Sequence, residues 1–160
     1  MNELEQIYRK HASAVYRFAW GLCGNRACAE DLVSETFVRL LTRAPRIRTQ
    51  TALGYLLAVA RNTYLTGRRR QQREVALTDD IEAAQLDPGD RLDDQARLEV
   101  VMGALSGLPE GERAALLLRV DHDLSYEEIA QITGLPIGTV KSRIHRGRSV
   151  LATRLARILK

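Results

Sequence analysis

The chain has 160 residues, 45% of them hydrophobic and 28% charged, with a formal net charge of +4. That length suits one ordinary domain or two small ones, and the composition fits a soluble protein with a packed core. No apolar run approaches the ~18 residues a membrane helix needs. "MNELEQIYRK" at the start carries no apolar signal-peptide segment. No membrane insertion and a cytoplasmic location are therefore expected.

In chain order, the apolar residues recur with a helical period and strand-like alternation is scarce. Leu4, Ile7, Val15, Phe18, Ala19 and Leu22 mark a first helix over 3–22, stopped by Gly24 and Asn25. A second runs over 27–41, with Leu32, Val33, Phe37, Leu40 and Leu41 as its apolar stripe. Pro45 marks a loop, "APRIRTQTA", and a third helix follows over 53–70 on Leu56, Leu57, Val59, Ala60 and Tyr64. "TDDIEAAQLDPGDRLDD" has little to bury and reads as a linker. Four more helices follow it, in "DDQARLEVVMGALSGL", "PEGERAALLLRV", "HDLSYEEIAQIT" and "PIGTVKSRIHRGRSVLATRLARIL", with Pro109 suited to a first helical position. The expected fold is all-α: two small helical bundles, 1–73 and 96–160, joined by an acidic linker over 74–95.

Cys23 and Cys28 form a C-x4-C pair with no further Cys and no nearby His. A closed zinc site needs four ligands, so they read as buried thiols at helix ends. His11, His122 and His145 are scattered, and neither a phosphate-cradling glycine loop nor a nucleophile–base pair is evident. Neither an enzyme nor a cofactor is expected.

Charge is unevenly spread. Five arginines and no acids lie between Arg61 and Arg73; nine acids against two arginines lie between Glu74 and Glu99; seven Lys/Arg against two Glu lie between Ser125 and Lys160. Two basic segments flanking an acidic one attract a polyanion at two places, although charge runs also arise as plain solvated faces.

The C-terminal half carries a more specific pattern. Ser125-x-x-Glu128 is a capping box, Ile129, Ala130 and Ile132 face inward, Gly134 can end the helix in the left-handed conformation, and Pro136 can open the next. So short a turn is the helix-turn-helix signature. At about 100° per residue, Val140, Ile144, Gly147 and Leu151 fall on one side of the second helix and Thr139, Ser142, Arg143 and Arg146 on the other. Arginine forks and small hydroxyls on one face suit a helix lying in a DNA groove. Lys141 and Arg148 lie toward the flanks, where phosphate contacts are expected.

"LPEGERAALLLRVDHDLSYEEIAQITGLPIGTVKSRIHRGRSVL" resembles region 4 of the extracytoplasmic-function (ECF) sigma factors of RNA polymerase, through Leu108, Pro109, Arg113, Ser125, Tyr126, Glu128, Ile129, Ala130 and the run from Gly138 to Arg143. The resemblance implies binding to the upstream (−35) promoter element. "AEDLVSETFVRLL" resembles region 2 of the same family through Asp31, Glu35 and Phe37, as does "GYLLAVARNTYLTGRRRQQR" through Leu56, Ala60, Arg61 and Asn62. It departs from the family pattern at Ser34, Tyr55, Thr66 and Gly67.

Asp31 and Glu35 share a helix face and, with Ser34 and Arg39, form a polar ridge. By resemblance that ridge docks on core RNA polymerase, with Leu32 as an apolar neighbour. Arg61, Asn62, Arg68, Arg69, Arg70 and Arg73 form a basic strip that can hold phosphates while one strand is drawn away. By resemblance, Arg46, Arg48, Thr49, Gln50 and Thr51 in the preceding loop surround a base flipped from the downstream (−10) element, an extrusion that costs a few kcal/mol. The family reading further implies an anti-sigma partner and an acidic linker threading the polymerase channels. Two other readings stay open here: a dimeric DNA-binding repressor or activator, which leaves Asp31 to Phe37 without a role, and a sigma-like adaptor that never touches DNA.

Overall fold

The computed structural model describes residues 3–42, 51–75 and 94–158. Among them are seven helices and no strand: α1 (Glu3–Cys23), α2 (Arg26–Thr42), α3 (Ala52–Val75), α4 (Asp94–Ser106), α5 (Glu110–Val120), α6 (Tyr126–Thr133) and α7 (Ile137–Ile158). The linker expected over 74–95 is shorter at both ends, because α3 runs to Val75 and α4 begins at Asp94; its remaining positions 76–93 lie outside the described residues, as do positions 43–50 of the loop before α3.

The first three helices pack on one another through the expected stripes. Phe18 and Val15 of α1, Phe37 of α2 and Leu56, Leu57 and Ala60 of α3 are buried together. The ring of Tyr8 meets that of Phe37 edge-on, centroids 4.9 Å apart, a geometry the aromatic quadrupole favours. Two expectations need correcting. Leu41 is 62% exposed, because it turns about 80° away from the middle of the α2 stripe, past the edge of the neighbouring helices. The third helix continues through Gly67 to Val75, since one glycine costs a helix only ~1 kcal/mol.

In the second half, α5 is the centre. Gly111 and every residue from Arg113 to Leu118 are buried, as a helix that is apolar almost all round must be. Pro109 stands one place earlier than expected, as the N-cap with an extended ψ of 145° rather than as the first helical residue. Arg113, only 4% exposed, explains why a cation stands in this apolar run. Its Nη1 donates to the carbonyls of Leu108 (3.0 Å) and Ser106 (3.3 Å), groups that the end of α4 leaves without helical partners.

The two halves do not stand apart. Val15, Phe18 and Leu22 belong to the same buried cluster as Leu105, Leu117 and Leu118. Polar contacts border this seam: Arg113 Nη2 donates to Tyr64 Oη at 3.0 Å, and Arg17 Nε pairs with Asp121 Oδ2 at 3.3 Å. His122 also meets the seam, its ring edge-on to Phe18 with centroids 5.8 Å apart. Its side chain is 1% exposed, and although Asp121 Oδ2 is 3.4 Å from Nε2, no well-formed hydrogen bond results.

Burial holds the His122 imidazole below its ordinary pKa of 6.5; Asp121 opposes that shift and Arg17 reinforces it. The undocked or unfolded chain therefore binds the proton more readily than the docked one. Docking is at full strength above the ordinary histidine range and weakens as pH falls through it. Thermal unfolding at pH 7.5 and 5.5 should show a lower Tm at the acid pH, and His122→Phe should remove a measurable part of that drop.

Candidate nucleic-acid interface

The α6–α7 pair forms from strong local signals. Ser125 Oγ accepts from the Glu128 amide at 3.1 Å, and Glu128 Oε1 accepts from the Ser125 amide at 3.3 Å. The expected capping box is thus complete. Gly134 closes α6 at φ 73°, ψ 16°, a conformation costly for residues with a Cβ. Its amide donates to the Ala130 carbonyl at 2.8 Å. Pro136 precedes α7 by one residue, and its carbonyl accepts from the Val140 amide at 3.0 Å.

On α7 the inward face is as expected and the outward one only in part. Val140, Ile144 and Gly147 are buried against the rest of the half, while Lys141, Ser142, Arg146 and Arg148 are exposed and Thr139 and Arg143 half-buried. Ser142 Oγ is tied back to the Gly138 carbonyl at 3.0 Å, which keeps the hydroxyl close to the helix backbone. Arg143 folds over the first turn of α5, where a side chain at position 111 would collide with its guanidinium. Glycine at 111 leaves room for that stacking. Arg146 faces Glu112 of the same turn at 3.9 Å.

One supporting residue was not legible as such. The Tyr126 ring lies under Arg119, 4.7 Å from its centroid, and under Lys141 at 5.4 Å. These two cation–π contacts tie the start of α6 to both α5 and α7 and hold the Lys141 ammonium near the Tyr126 ring. The aromatic immediately after the cap serine is the signal that could have revealed it.

On α2, Asp31, Ser34 and Glu35 are exposed, and Arg39 Nη2 pairs with Glu35 Oε1 at 3.3 Å. Leu32 does not join them. It is 6% exposed and packs with Ala19 and Ala29, because one residue along a helix is a turn of about 100°. The apolar part of this surface comes from Val38, 53% exposed, and Leu41. Val38 lies seven residues after Asp31 and so returns to the same face.

The basic strip of α3 is also divided. Asn62, Arg68, Arg69 and Arg70 are exposed, but Arg61 is buried. It sits inside the seam between the halves, turned away from solvent and held by a partner 49 residues away, Glu110. Of the loop residues, only Thr51 is described. Its Oγ1 accepts from the Gly54 amide at 3.0 Å and caps α3. Arg46, Arg48, Thr49 and Gln50 lie outside the described residues, and so does the side chain of Arg73.

Cys23 and Cys28 are free and half-buried. Burial and the contact with Cys28 push the Cys23 thiol well up, so it stays protonated and packs as a small apolar group.

A three-helix unit with a polar ridge, followed by a helix-turn-helix unit with a cationic face, is the arrangement expected of a sigma-type transcription factor. Residues 7–74 match the family described as Sigma-70 region 2, and residues 98–151 match Sigma-70, region 4. The chain is 38% identical to the ECF RNA polymerase sigma factor SigE of Mycolicibacterium smegmatis over 98% of its own length and 63% of that protein's. It is 35% identical to EcfG of Rhodopseudomonas palustris, over 86% of this chain and 77% of that one. Among solved structures, the sigma factor RpoE of Bartonella quintana, crystallised in complex with the anti-sigma factor NepR, superposes with a TM-score of 0.79 at 29% identity, covering 98% of both chains. The chain belongs to the ECF sigma factors, a family of transcription initiation factors rather than enzymes.

The aim of α7 depends on the cap that sets α6. Ser125→Ala should cost about 1 kcal/mol of stability, read as a lower urea midpoint with an unchanged slope.

Proposed function

We propose that this chain binds core RNA polymerase and directs promoter recognition, promoter melting and transcription initiation. The observation that carries the reading is α7. Its inward residues, Val140, Ile144 and Gly147, are fully used in packing, which leaves Lys141, Ser142, Arg146 and Arg148 directed outward on a helix held by a turn. Residues 96–160 then act as region 4: Thr139, Ser142, Arg143 and Arg146 address base edges and nearby phosphates of the −35 element, with Lys141 and Arg148 on the flanking backbone. Arg143 must lift from the α5 turn to reach them.

Residues 1–73 act as region 2. Asp31, Ser34, Glu35 and Arg39 form the polymerase-docking surface, and the exposed Val38 and Leu41 supply the apolar contact first assigned to Leu32. Asn62, Arg68 and Arg69, with Arg61 once it is released, hold backbone phosphates near the −10 element. The loop residues Arg46, Arg48, Thr49, Gln50 and Thr51 receive the flipped base. The acidic stretch 74–95 follows the polymerase's basic channels. An anti-sigma factor controls the chain, a reading supported by the whole-chain likeness to a sigma factor crystallised with one. The site of action is the cytoplasm, in keeping with the lack of a membrane-spanning helix among the described residues.

The test is reconstitution. Added to core polymerase, the wild-type chain should give promoter-dependent transcripts. Asp31→Ala should weaken association with the core enzyme. Arg146→Ala should leave that association intact and lower promoter affinity about ten-fold or more, the worth of one good base or phosphate contact. A chain that binds duplex DNA tightly yet never associates with core polymerase would instead be a free-standing regulator.

A further inference from the structure

We infer that Arg61 is a latch: in the closed chain its guanidinium is occupied by Glu110, so closure of the two halves and nucleic-acid contact through this arginine exclude each other. This rests on the reading of α3 as the region that meets promoter DNA.

The geometry is specific. Arg61 Nε donates to Glu110 Oε1 at 3.0 Å and Nη2 to Oε2 at 3.2 Å, while Nη1 reaches the Thr133 carbonyl at 3.3 Å. All three guanidinium nitrogens therefore point into the second half. The two side chains are only 10% and 13% exposed, whereas Arg68, Arg69 and Arg70 further along α3 lie in solvent. A two-pronged grip on a carboxylate is the same grip a guanidinium offers a phosphate. Glu110 occupies the place an anionic ligand would take. It also stands in the first turn of α5, where the positive end of the helix steadies a carboxylate. The α4–α5 turn and the end of α6 thus cover the side chain that would otherwise face a polyanion.

The contact is also reversible in principle. A largely desolvated ion pair has value only while both members are present, and removing one leaves the other seeking water. The surrounding seam joins an apolar core, Val15, Phe18 and Leu22 against Leu105, Leu117 and Leu118, to the polar pairs Arg17–Asp121 and Tyr64–Arg113, so the ion pair adds direction to a closure that apolar burial also favours. The affinity of the free chain for nucleic acid is then reduced by the fraction of molecules that are closed. A partner that binds the open form relieves that reduction.

Glu110→Gln in the full-length chain tests this, because Glu110 belongs to neither the proposed polymerase surface nor the proposed DNA surface. Two quantities are read without polymerase: the radius of gyration by small-angle X-ray scattering, and affinity for a fluorescein-labelled single-stranded oligonucleotide by anisotropy at low salt. Glu110→Gln should enlarge the particle and tighten oligonucleotide binding about three- to ten-fold. Arg61→Gln should enlarge it equally without the gain in affinity. The exchanged pair, Arg61→Glu with Glu110→Arg, should restore wild-type size without the gain.

A Glu110→Gln chain with wild-type size, or one that opens without tighter binding, overturns the latch. If circular dichroism shows that Glu110→Gln has lost its helices, the exchanged pair decides: a compact chain supports the latch and an open one refutes it. The functional reading fails separately. A wild-type chain that gives no polymerase-dependent transcript, beside a Glu110→Gln chain that opens and binds tighter, sinks sigma activity and leaves the latch standing.

Discussion

The burial of α5 is the constraint on which the rest of the structure depends. Its run of Ala114, Ala115, Leu116, Leu117 and Leu118 is enclosed by α1 on one side and by α6 and α7 on the other. Each buried leucine contributes about 1.5–3 kcal/mol through removal from water. Each half alone would be a small domain with a modest core. Sharing the α5 surface gives both halves burial they could not reach separately, and it sets the position of the helix-turn-helix relative to α1 and α3.

That shared core also brings the electrostatics into order. The acids of the α5 first turn reach arginines from opposite directions: Glu110 takes Arg61 from α3, and Glu112 faces Arg146 from α7. The first pair is nearly dry and directional; the second is long and its arginine mostly solvated, so it is worth little. One turn of helix therefore touches both cationic faces, firmly in one case and loosely in the other.

Local chemistry was readable from the residues, and long-range contact was not. The Ser125–Glu128 box, the Gly134 turn and the inward set on α7 are dictated within a few residues of chain, and each stands where the pattern puts it. Helical periodicity likewise placed Phe18, Phe37 and Leu56 in the core. It misplaced Leu41, which stands at the border of its stripe and is left exposed, whereas Leu32 is buried as the stripe requires and was set on the docking surface by the resemblance alone. Arg61 shows the deeper limit. Its position in a run of arginines says cationic surface, but its environment is set by Glu110 and Thr133 from beyond the linker. The presence of Arg113 in an apolar run likewise follows from the open carbonyls at the end of α4.

The outer face of α2 carries a different consequence. A helix that keeps Val38 and Leu41 in water beside Asp31 and Glu35 sets apolar area next to charge on one exposed face. Polar residues at those two positions would remove the apolar area and leave the neighbouring charges as they are.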